Sequence, residues 1–132
     1  MLVEVEKVLR FDWSPFPIVQ VRTPVGRTVV PWCGAPDAVP GRYDVEWTID
    51  MKISWGLDAK LAADPGPAIS AGGHGVVLRG RLALTPDGAG VLDLDGSMIL
   101  LDFVEPPPAE ADASWVQIHV SRKDVQLHPF GL

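Results

Sequence analysis

Thirteen consecutive residues alternate between apolar and polar side chains without interruption, from Tyr43 to Trp55. The apolar positions are Tyr43, Val45, Trp47, Ile49, Met51, Ile53 and Trp55. A period of two is typical of a β-strand with one buried face. At about 3.3 Å per residue, an unbroken strand of this length would exceed the usual strand. We therefore expect the segment to bend across a barrel or between two sheets, with its odd-numbered face in the core.

The segment from Thr85 to Ala89 predicts a hairpin with a three-residue loop, because Pro86 presets the turn and Gly88 accepts a left-handed backbone. The register that follows pairs Leu82 with Leu92, Gly80 with Leu94, Val76 with Met98, Arg81 with Asp93 and Arg79 with Asp95. Apolar residues then share one face, and opposite charges meet on the other. Since a turn at Asp95-Gly96 would break the charge pairs, Gly96 is interpreted as a strand or bulge residue.

Two further hairpins are predicted from the same kind of register. A turn over residues 23–27 gives the pairs Val21 with Val29, Val19 with Pro31 and Ile18 with Trp32. A turn at Arg122-Lys123 gives the pairs Val120 with Val125, Ile118 with Leu127 and Trp115 with Phe130. Arg-Lys is a poor two-residue turn, so the second hairpin depends on the match of apolar residues alone.

An N-terminal strand from Leu2 to about Trp13, in which Lys7 breaks the alternation, brings the total to about eight strands. The irregular stretches are predicted at 33–42, 56–75 and 104–113, with at most one short helix over 57–64. Short strands with turn signals and no long helix favour an all-β fold, an antiparallel barrel or sandwich. The length of 132 residues suits one domain spanning 1–132. The sequence does not choose between barrel and sandwich.

Charge and composition narrow the expected partners and location. The net charge of -6 opposes phosphate backbones and anionic membranes and favours a basic protein partner. Glu4 and Glu6 stand where a secretory signal would be basic, and no apolar run approaches the ~20 residues that span a bilayer. A cytoplasmic location is therefore predicted. Because Cys33 is the single cysteine, an intramolecular disulfide is excluded.

The sequence offers little that predicts catalysis or metal binding. Cys33 would need a neighbouring histidine to act as a nucleophile, and nothing fixes a contact with His74, His119 or His128. The segment 93–96 lacks the third carboxylate and the terminal Glu of a calcium loop. His119 and His128 share a face of the predicted last hairpin, but without further ligands. No catalytic residue, metal or cofactor is predicted, and a Cys- or His-dependent enzyme is a further alternative.

Six residues are candidates for a partner-binding surface: Trp13, Phe16, Trp32, Trp115, His119 and Phe130. The first three lie on proline-stiffened segments or at a hairpin end, and the last three share a face of the predicted last hairpin. Aromatic side chains on stiff segments lose little entropy on docking, which suits an interface. The alternative is that those at the strand ends form a hydrophobic plug over the fold.

The favoured function is a non-enzymatic protein-binding module, a small acidic partner or inhibitor of immunity or accessory type that docks on a basic protein. A small-molecule-binding β-barrel lined by Trp13, Trp32 or Trp55 is the alternative. A nucleic-acid barrel of the OB type ranks last, because few cations lie near strands and Arg79 and Arg81 are expected to pair with acids. The sequence leaves homo-oligomer formation open.

Overall fold

The computed structural model describes residues 1–73 and 75–130. It confirms an all-β fold, with more strands than the sequence predicts and two 3-10 turns, Ala109–Ala111 and Arg122–Asp124. The strands in these residues are β1 Leu2–Leu9, β2 Ile18–Thr23, β3 Gly26–Pro31, β4 Gly41–Ile49, β5 Lys52–Ile53, β6 Ala59–Leu61, β7 Ala68–Gly72, β8 Gly75–Leu84, β9 Gly90–Leu94, β10 Ser97–Phe103, β11 Trp115–Ser121 and β12 Val125–Pro129. Among the described residues, no helix has the length and apolar character needed to cross a membrane.

The strands form two sheets. The first has the order β12-β4-β1-β2-β3, and all its neighbours are antiparallel. The second has the order β5-β10-β9-β8-β11-β6, with β7 paired to β8 and a parallel pair between β5 and β10. The first sheet curls until its edges meet, because Trp32 forms a parallel bridge to Leu127 in β12. The architecture is a half-barrel combined with a second sheet.

The alternating segment bends between the two sheets, as expected. β4 ends at Ile49 in the first sheet, and β5 begins at Lys52 in the second. At the break, the Asp50 backbone N–H donates to the Asp124 carbonyl at 2.7 Å. Trp47 before the break and Ile53 after it are both buried. The period of two therefore marks a core face that continues through the change of sheet.

One cluster of buried apolar side chains draws on both sheets. The first sheet contributes residues such as Val19 and Trp47, and the second contributes Leu92 and Ile118. Fully burying a side chain of this kind stabilises a fold by about 1.5 to 3 kcal/mol relative to leaving it exposed. The packing of the two sheets on a common core is therefore the main source of stability in this fold.

The hairpin around Pro86 forms in the predicted register. Leu82 lies opposite Leu92 and Arg81 opposite Asp93, and the Thr85 backbone N–H donates to the Ala89 carbonyl at 2.9 Å. Pro86 and the left-handed Gly88, with φ of 87°, supply the turn chemistry that the sequence predicts. Local sequence therefore determines this register.

The interpretation of Gly96 as a strand residue is wrong. Asp95 and Gly96 have φ of 53° and 88° and form the turn between β9 and β10, in which Ser97 pairs with Leu94. Two left-handed central residues define the type I′ turn, whose twist matches that of the flanking strands. The predicted pairs beyond Arg81 and Asp93 therefore do not form. Arg79 instead donates from Nε to the Gly66 carbonyl at 2.7 Å.

The hairpin at residues 23–27 forms, but its register differs by one residue from the prediction. Thr23 pairs with Gly26, and Val19 pairs with Val30. The Thr23 hydroxyl accepts from the Val25 N–H at 3.1 Å and donates to the Gly26 carbonyl at 2.8 Å. These bonds close a two-residue loop in place of the expected three-residue loop. The buried residues of β3 are consequently Thr28, Val30 and Pro31, whereas Val29 is half-buried.

The hairpin predicted at Arg122-Lys123 does not exist. β11 pairs with β8 and β6 in the second sheet, whereas β12 pairs with β4 in the first. The 3-10 turn Arg122–Asp124 leads the chain from one sheet to the other. The apolar residues of the two strands matched because both strands turn a face to the same core, and not because they pair.

The stretch at 56–75 is less irregular than predicted and contains β6 and β7. The short helix expected over 57–64 is absent, since Ala59–Leu61 pairs as a strand with β11. Leu57, the first residue of that predicted helix, is 82% exposed. Gly72 at the end of β7 pairs with Gly75 at the start of β8. His74 lies outside the described residues.

The N-terminal strand ends at Leu9 rather than near Trp13 and contains a bulge between Val5 and Lys7. A bulge inserts one extra residue on one strand and so shifts which side chains face the core. After it, Val8 packs against the core, and Leu9 is exposed. The bulge explains why Lys7 breaks the alternation.

Candidate partner-binding site

Two of the six predicted residues, Trp13 and Phe16, line a surface cavity of about 360 Å³. We call this cavity the aromatic groove; its lining residues are Trp13, Ser14, Phe16, Ile18, Pro31, Arg122, Lys123 and Gln126. The lining combines the loop before β2, the facing ends of β2 and β3, and the turn that leads into β12. Because that turn connects the two sheets, the groove lies where the chain returns to the first sheet.

The aromatic side chains of the groove are held by contacts within their own loop. The Trp13 ring stacks on Phe11, with a centroid separation of 5.0 Å and an interplanar angle of 23°. The Ser14 N–H donates to the Phe11 carbonyl at 3.2 Å, and the Ser14 hydroxyl donates to the Phe16 carbonyl at 2.8 Å. Trp13 nevertheless remains 75% exposed. The loop therefore presents a large ring to solvent in a fixed position.

Contacts with the segment after β3 fix this loop at both ends. The Arg10 guanidinium donates to the carbonyls of Pro36 and Ala38, each at 2.9 Å. At the other end, the Trp32 N–H donates to the Pro17 carbonyl at 2.9 Å. The two connections span the loop that carries Trp13, so less conformational entropy remains to be lost when a ligand binds.

The charged residues that line the groove are both basic. They are Arg122 and Lys123. Arg122 is positioned by its Nε, which donates to the Val29 carbonyl at 3.0 Å. Asp12 and Asp124, the sequence neighbours of Trp13 and Lys123, do not line the cavity. The local charge of the groove is thus opposite in sign to the net charge of the protein.

Trp32 does not join this exposed site, because it is 1% exposed and belongs to the core. Its ring packs edge to face against Tyr43, with centroids 4.8 Å apart and an interplanar angle of 68°. The burial of Trp32 agrees with the alternative that aromatic residues at the strand ends form a hydrophobic plug over the fold. Trp55 lines a different cavity, beside Val104 and Pro106. Trp13 and Trp55, two of the three tryptophans considered for a small-molecule barrel, therefore line different cavities.

Trp115, His119 and Phe130 do not share a face, since β11 and β12 belong to different sheets. Trp115 lies under the Arg81 guanidinium, 5.7 Å from the ring centroid. The exposed His119 contacts Gln117 through its Nε2 at 3.1 Å. Phe130 follows β12 in the first sheet and is exposed.

His128 is also separated from His119 by the change of sheet. Its Nε2 lies 2.9 Å from the Thr48 hydroxyl, across the pair of β12 and β4. The two imidazoles that the sequence placed on one hairpin face thus have separate surroundings. Residues 1–73 and 75–130 contain no group of three or more His, Cys, Asp or Glu side chains placed to hold a metal ion.

A second exposed surface, which the sequence did not identify, lies on β10 and β9. Leu100 is 76% exposed and pairs with Val91, and Met98 is 57% exposed and pairs with Asp93. We call this surface the outer β10 face; it consists of Val91, Asp93, Met98, Leu100 and Asp102. The signal was present, because the run Ser97–Phe103 has apolar residues on both faces and only one face can enter the core.

Acidic residues are concentrated in the part of the chain that carries the outer β10 face. Residues 50–121 contain ten Asp or Glu and four Lys or Arg, which accounts for the whole net charge of -6. The remaining seven acids and seven bases cancel. From Leu82 to Ser121 there is no Lys or Arg, and seven acids occur: Asp87, Asp93, Asp95, Asp102, Glu105, Glu110 and Asp112.

Cys33 follows the bridge between the first sheet's edges and is partly buried. Burial raises the pKa of its thiol, whereas a nucleophilic cysteine requires a lowered pKa. Asp93, the first residue of the segment 93–96, accepts from the Gly96 N–H at 2.8 Å and so stabilises the hairpin turn.

Comparisons with protein-family models, with curated proteins and with solved structures find no match to this chain.

Proposed function

We propose that this chain is a non-enzymatic protein-binding module, a small acidic protein that docks on a basic surface of another protein. The observation that carries the proposal is the outer β10 face. There, Leu100 and Met98 project into solvent beside Asp93 and Asp102. This face belongs to a stretch of the chain that has no Lys or Arg from Leu82 to Ser121.

The combination of apolar and acidic side chains suits a protein interface. Single exposed apolar residues are ordinary on protein surfaces, but here Leu100, Val91 and Ala83 follow one another across three paired strands. Such a row can form the apolar centre of a contact. Asp93 and Asp102, whose strand partners are the cations Arg81 and Lys52, can form part of its charged rim. Complementary charge accelerates the encounter and selects the partner. A basic partner surface is therefore favoured.

The outer β10 face also needs little ordering before it binds. β10 pairs with β9 over Ser97–Leu101, and β9 pairs in turn with β8. The opposite side of β10 is anchored in the core through Ile99, Leu101 and Phe103. Because the backbone is already fixed, association costs mainly the side-chain freedom of Met98 and Leu100.

A test is affinity capture from the native host with the full chain as bait, comparing Leu100→Ser with the matched control Leu57→Ser. Both leucines are highly exposed, at 76% and 82%, and they lie on different elements. We expect wild type and the control to capture a protein with a basic surface, and Leu100→Ser to lose it. Equal capture by all three baits, or no captured protein at all, would overturn the proposal.

A second pair of variants tests the charge. Asp102→Lys reverses a carboxylate on the outer β10 face, and Asp64→Lys reverses an exposed carboxylate elsewhere. We expect the first to weaken capture of the same partner more than the second. The wild-type complex is also expected to weaken when salt is raised from about 0.1 M to 1 M, where the screening length falls from about 10 Å to 3 Å. Capture insensitive to salt would argue against a basic partner.

A further inference from the structure

We infer that the aromatic groove is a second binding site, which takes an acidic peptide segment that carries one aromatic or large apolar side chain. The inference goes beyond the proposed function. The groove shares no residue with the outer β10 face, and its charged lining is of the opposite sign. It lies beside the first sheet, whereas the outer β10 face lies on the second.

The apolar part of the lining predicts the anchor of the ligand. Trp13, Phe16, Ile18 and Pro31 line a cavity of about 360 Å³, within the range of about 300 to 1,000 Å³ usual for ligand sites. Tryptophan is enriched among the residues that dominate binding energy. Here Trp13 is both exposed and fixed by its stack on Phe11. An aromatic or large apolar side chain therefore fits against it.

The basic part of the lining predicts carboxylates next to that anchor. The Lys123 ammonium is exposed, and Arg122 binds the Val29 carbonyl through Nε alone. The terminal nitrogens of Arg122 have no hydrogen-bond partner among the described residues, so the guanidinium can still bind a carboxylate. No acidic side chain lines the groove to compete for it.

An extended peptide satisfies both parts of the lining at once. Its anchor side chain can contact the loop with Trp13 and Phe16, and its flanking Asp or Glu can reach the turn with Arg122 and Lys123. The Gln126 amide, also in the lining, can both donate to and accept from a peptide backbone. A basic segment would instead be repelled by the two cations.

The test is selection of a random phage-displayed dodecapeptide library on the whole protein. We expect a consensus with one aromatic or large apolar residue flanked by Asp or Glu. A synthetic peptide of that consensus is then titrated against variants. We expect Trp13→Ala to weaken it about tenfold or more, as for a residue that dominates a contact, and Lys123→Glu to weaken it measurably as well.

Matched controls separate the groove from general surface effects. Phe130→Ala removes an exposed aromatic residue and Lys60→Glu reverses an exposed cation, and neither residue lines the groove. Both variants are expected to keep wild-type affinity for the peptide. Phe16→Ala gives a second groove variant, and the unfolding midpoint of every variant is measured so that loss of fold is recognised.

Several outcomes would overturn the inference. They are the absence of a consensus, a basic consensus, a consensus without a large apolar residue, and peptide binding that survives Trp13→Ala and Phe16→Ala in folded protein. Leu100→Ser is expected to bind the peptide like wild type. The peptide result and the capture experiment with Leu100→Ser can therefore fail independently of each other.

Discussion

Trp32 and Leu127 form the bridge at which the two edges of the first sheet meet. They are parallel partners, both are buried, and the N–H of the next residue, Cys33, donates to the Leu127 carbonyl at 2.8 Å. An open sheet edge exposes unpaired backbone groups that invite pairing with another chain. The bridge thus covers part of that edge and places two large side chains in the core.

Leu127→Ala is expected to lower the free energy of unfolding by about 2 to 5 kcal/mol, the usual cost of truncating a buried leucine. The substitution leaves a cavity beside Trp32 and weakens the packing at the joined edges. Urea denaturation measures the loss. The control Leu57→Ala removes a leucine that is almost fully exposed and is expected to change stability by no more than about 0.5 kcal/mol. Similar losses of unfolding free energy in both variants would show that burying Leu127 at the bridge does not stabilise the fold.

Gly26→Ala is expected to destabilise the protein more than Gly56→Ala. Both glycines have positive φ, 143° and 90°, and such backbone strain costs about 1 to 3 kcal/mol for other residues. Only Gly26 also has a steric constraint, because a Cβ there would lie 1.8 Å from the Ile69 carbonyl oxygen, whereas nothing lies within 4 Å of one at Gly56. Thermal denaturation of the two variants checks this, and the unfolding midpoint is expected to fall further for Gly26→Ala.

The comparison at Gly26 also reports on how the two sheets meet. The Ile69 N–H in β7 donates to the Val25 carbonyl at 3.0 Å, so the turn between β2 and β3 contacts the second sheet at this point. If Gly26→Ala loses no more stability than Gly56→Ala, the close approach of the two sheets at this turn would be refuted.

Local pairing was predictable from the sequence where turn chemistry acts over a few residues. The register of Leu82 with Leu92 follows from Pro86 and Gly88 between them. Pairing between sheets was not predictable, because alternation shows which face of a strand is buried and not which strand lies beside it. Val120 and Val125 match in pattern because their strands face the same core from different sheets.

Apparent charge pairs misled the prediction at Asp95-Gly96. The prediction rejected the turn signal Asp95-Gly96 in order to keep Arg79 opposite Asp95. Pairs of exposed charges, however, contribute little stability. In the structure, Arg81 donates to the Ala113 carbonyl at 2.7 Å, and Asp95 lies in the turn. A turn that needs two left-handed residues is the stronger constraint, because few dipeptides other than Asn-Gly and Asp-Gly meet it readily.

The candidate site was predicted in part. Proline-rich flanks identified Trp13 and Phe16 as residues of a stiff loop, and the structure brings them together. The basic character of the groove was hidden, because net charge averages over the chain, while Arg122 and Lys123 come from a distant turn. Leu100 was missed because rejecting the turn at Asp95-Gly96 also misplaced β10 relative to β9.

Thr85→Val is expected to raise the pKa of Asp87. The Thr85 hydroxyl, which donates to the Asp87 carboxylate, is the main cause of the lowered pKa of this group, because a hydrogen bond to the charged form favours ionisation. Carboxyl NMR titration measures the shift. Thr85→Ser keeps the hydroxyl and is expected to keep the lowered pKa. An unchanged pKa in the valine variant would show that another group is responsible.

The sign of the pH dependence follows from that lowered pKa. The stabilising effect of ionised Asp87 is complete above the pKa of the unfolded chain and is lost as the pH falls through the lower folded pKa. Thr85→Val should therefore reduce the part of the unfolding free energy that ionised Asp87 contributes and that is lost in acid. Because Asp87 is exposed, the effect on overall stability is small, and the titration is the decisive measurement.

Cys33 is expected to react slowly with iodoacetamide near neutral pH. Burial raises the pKa of its thiol, so a smaller fraction is thiolate, the reactive form, than in an exposed cysteine. The rate, followed by mass spectrometry, should rise about tenfold per pH unit below the pKa, and it should stay below that of free N-acetylcysteine at pH 7. Reaction as fast as that of the free thiol would show that the thiolate is stabilised at this position.

Cys33→Ala is expected to keep partner capture at the wild-type level, since the proposed function uses no thiol chemistry.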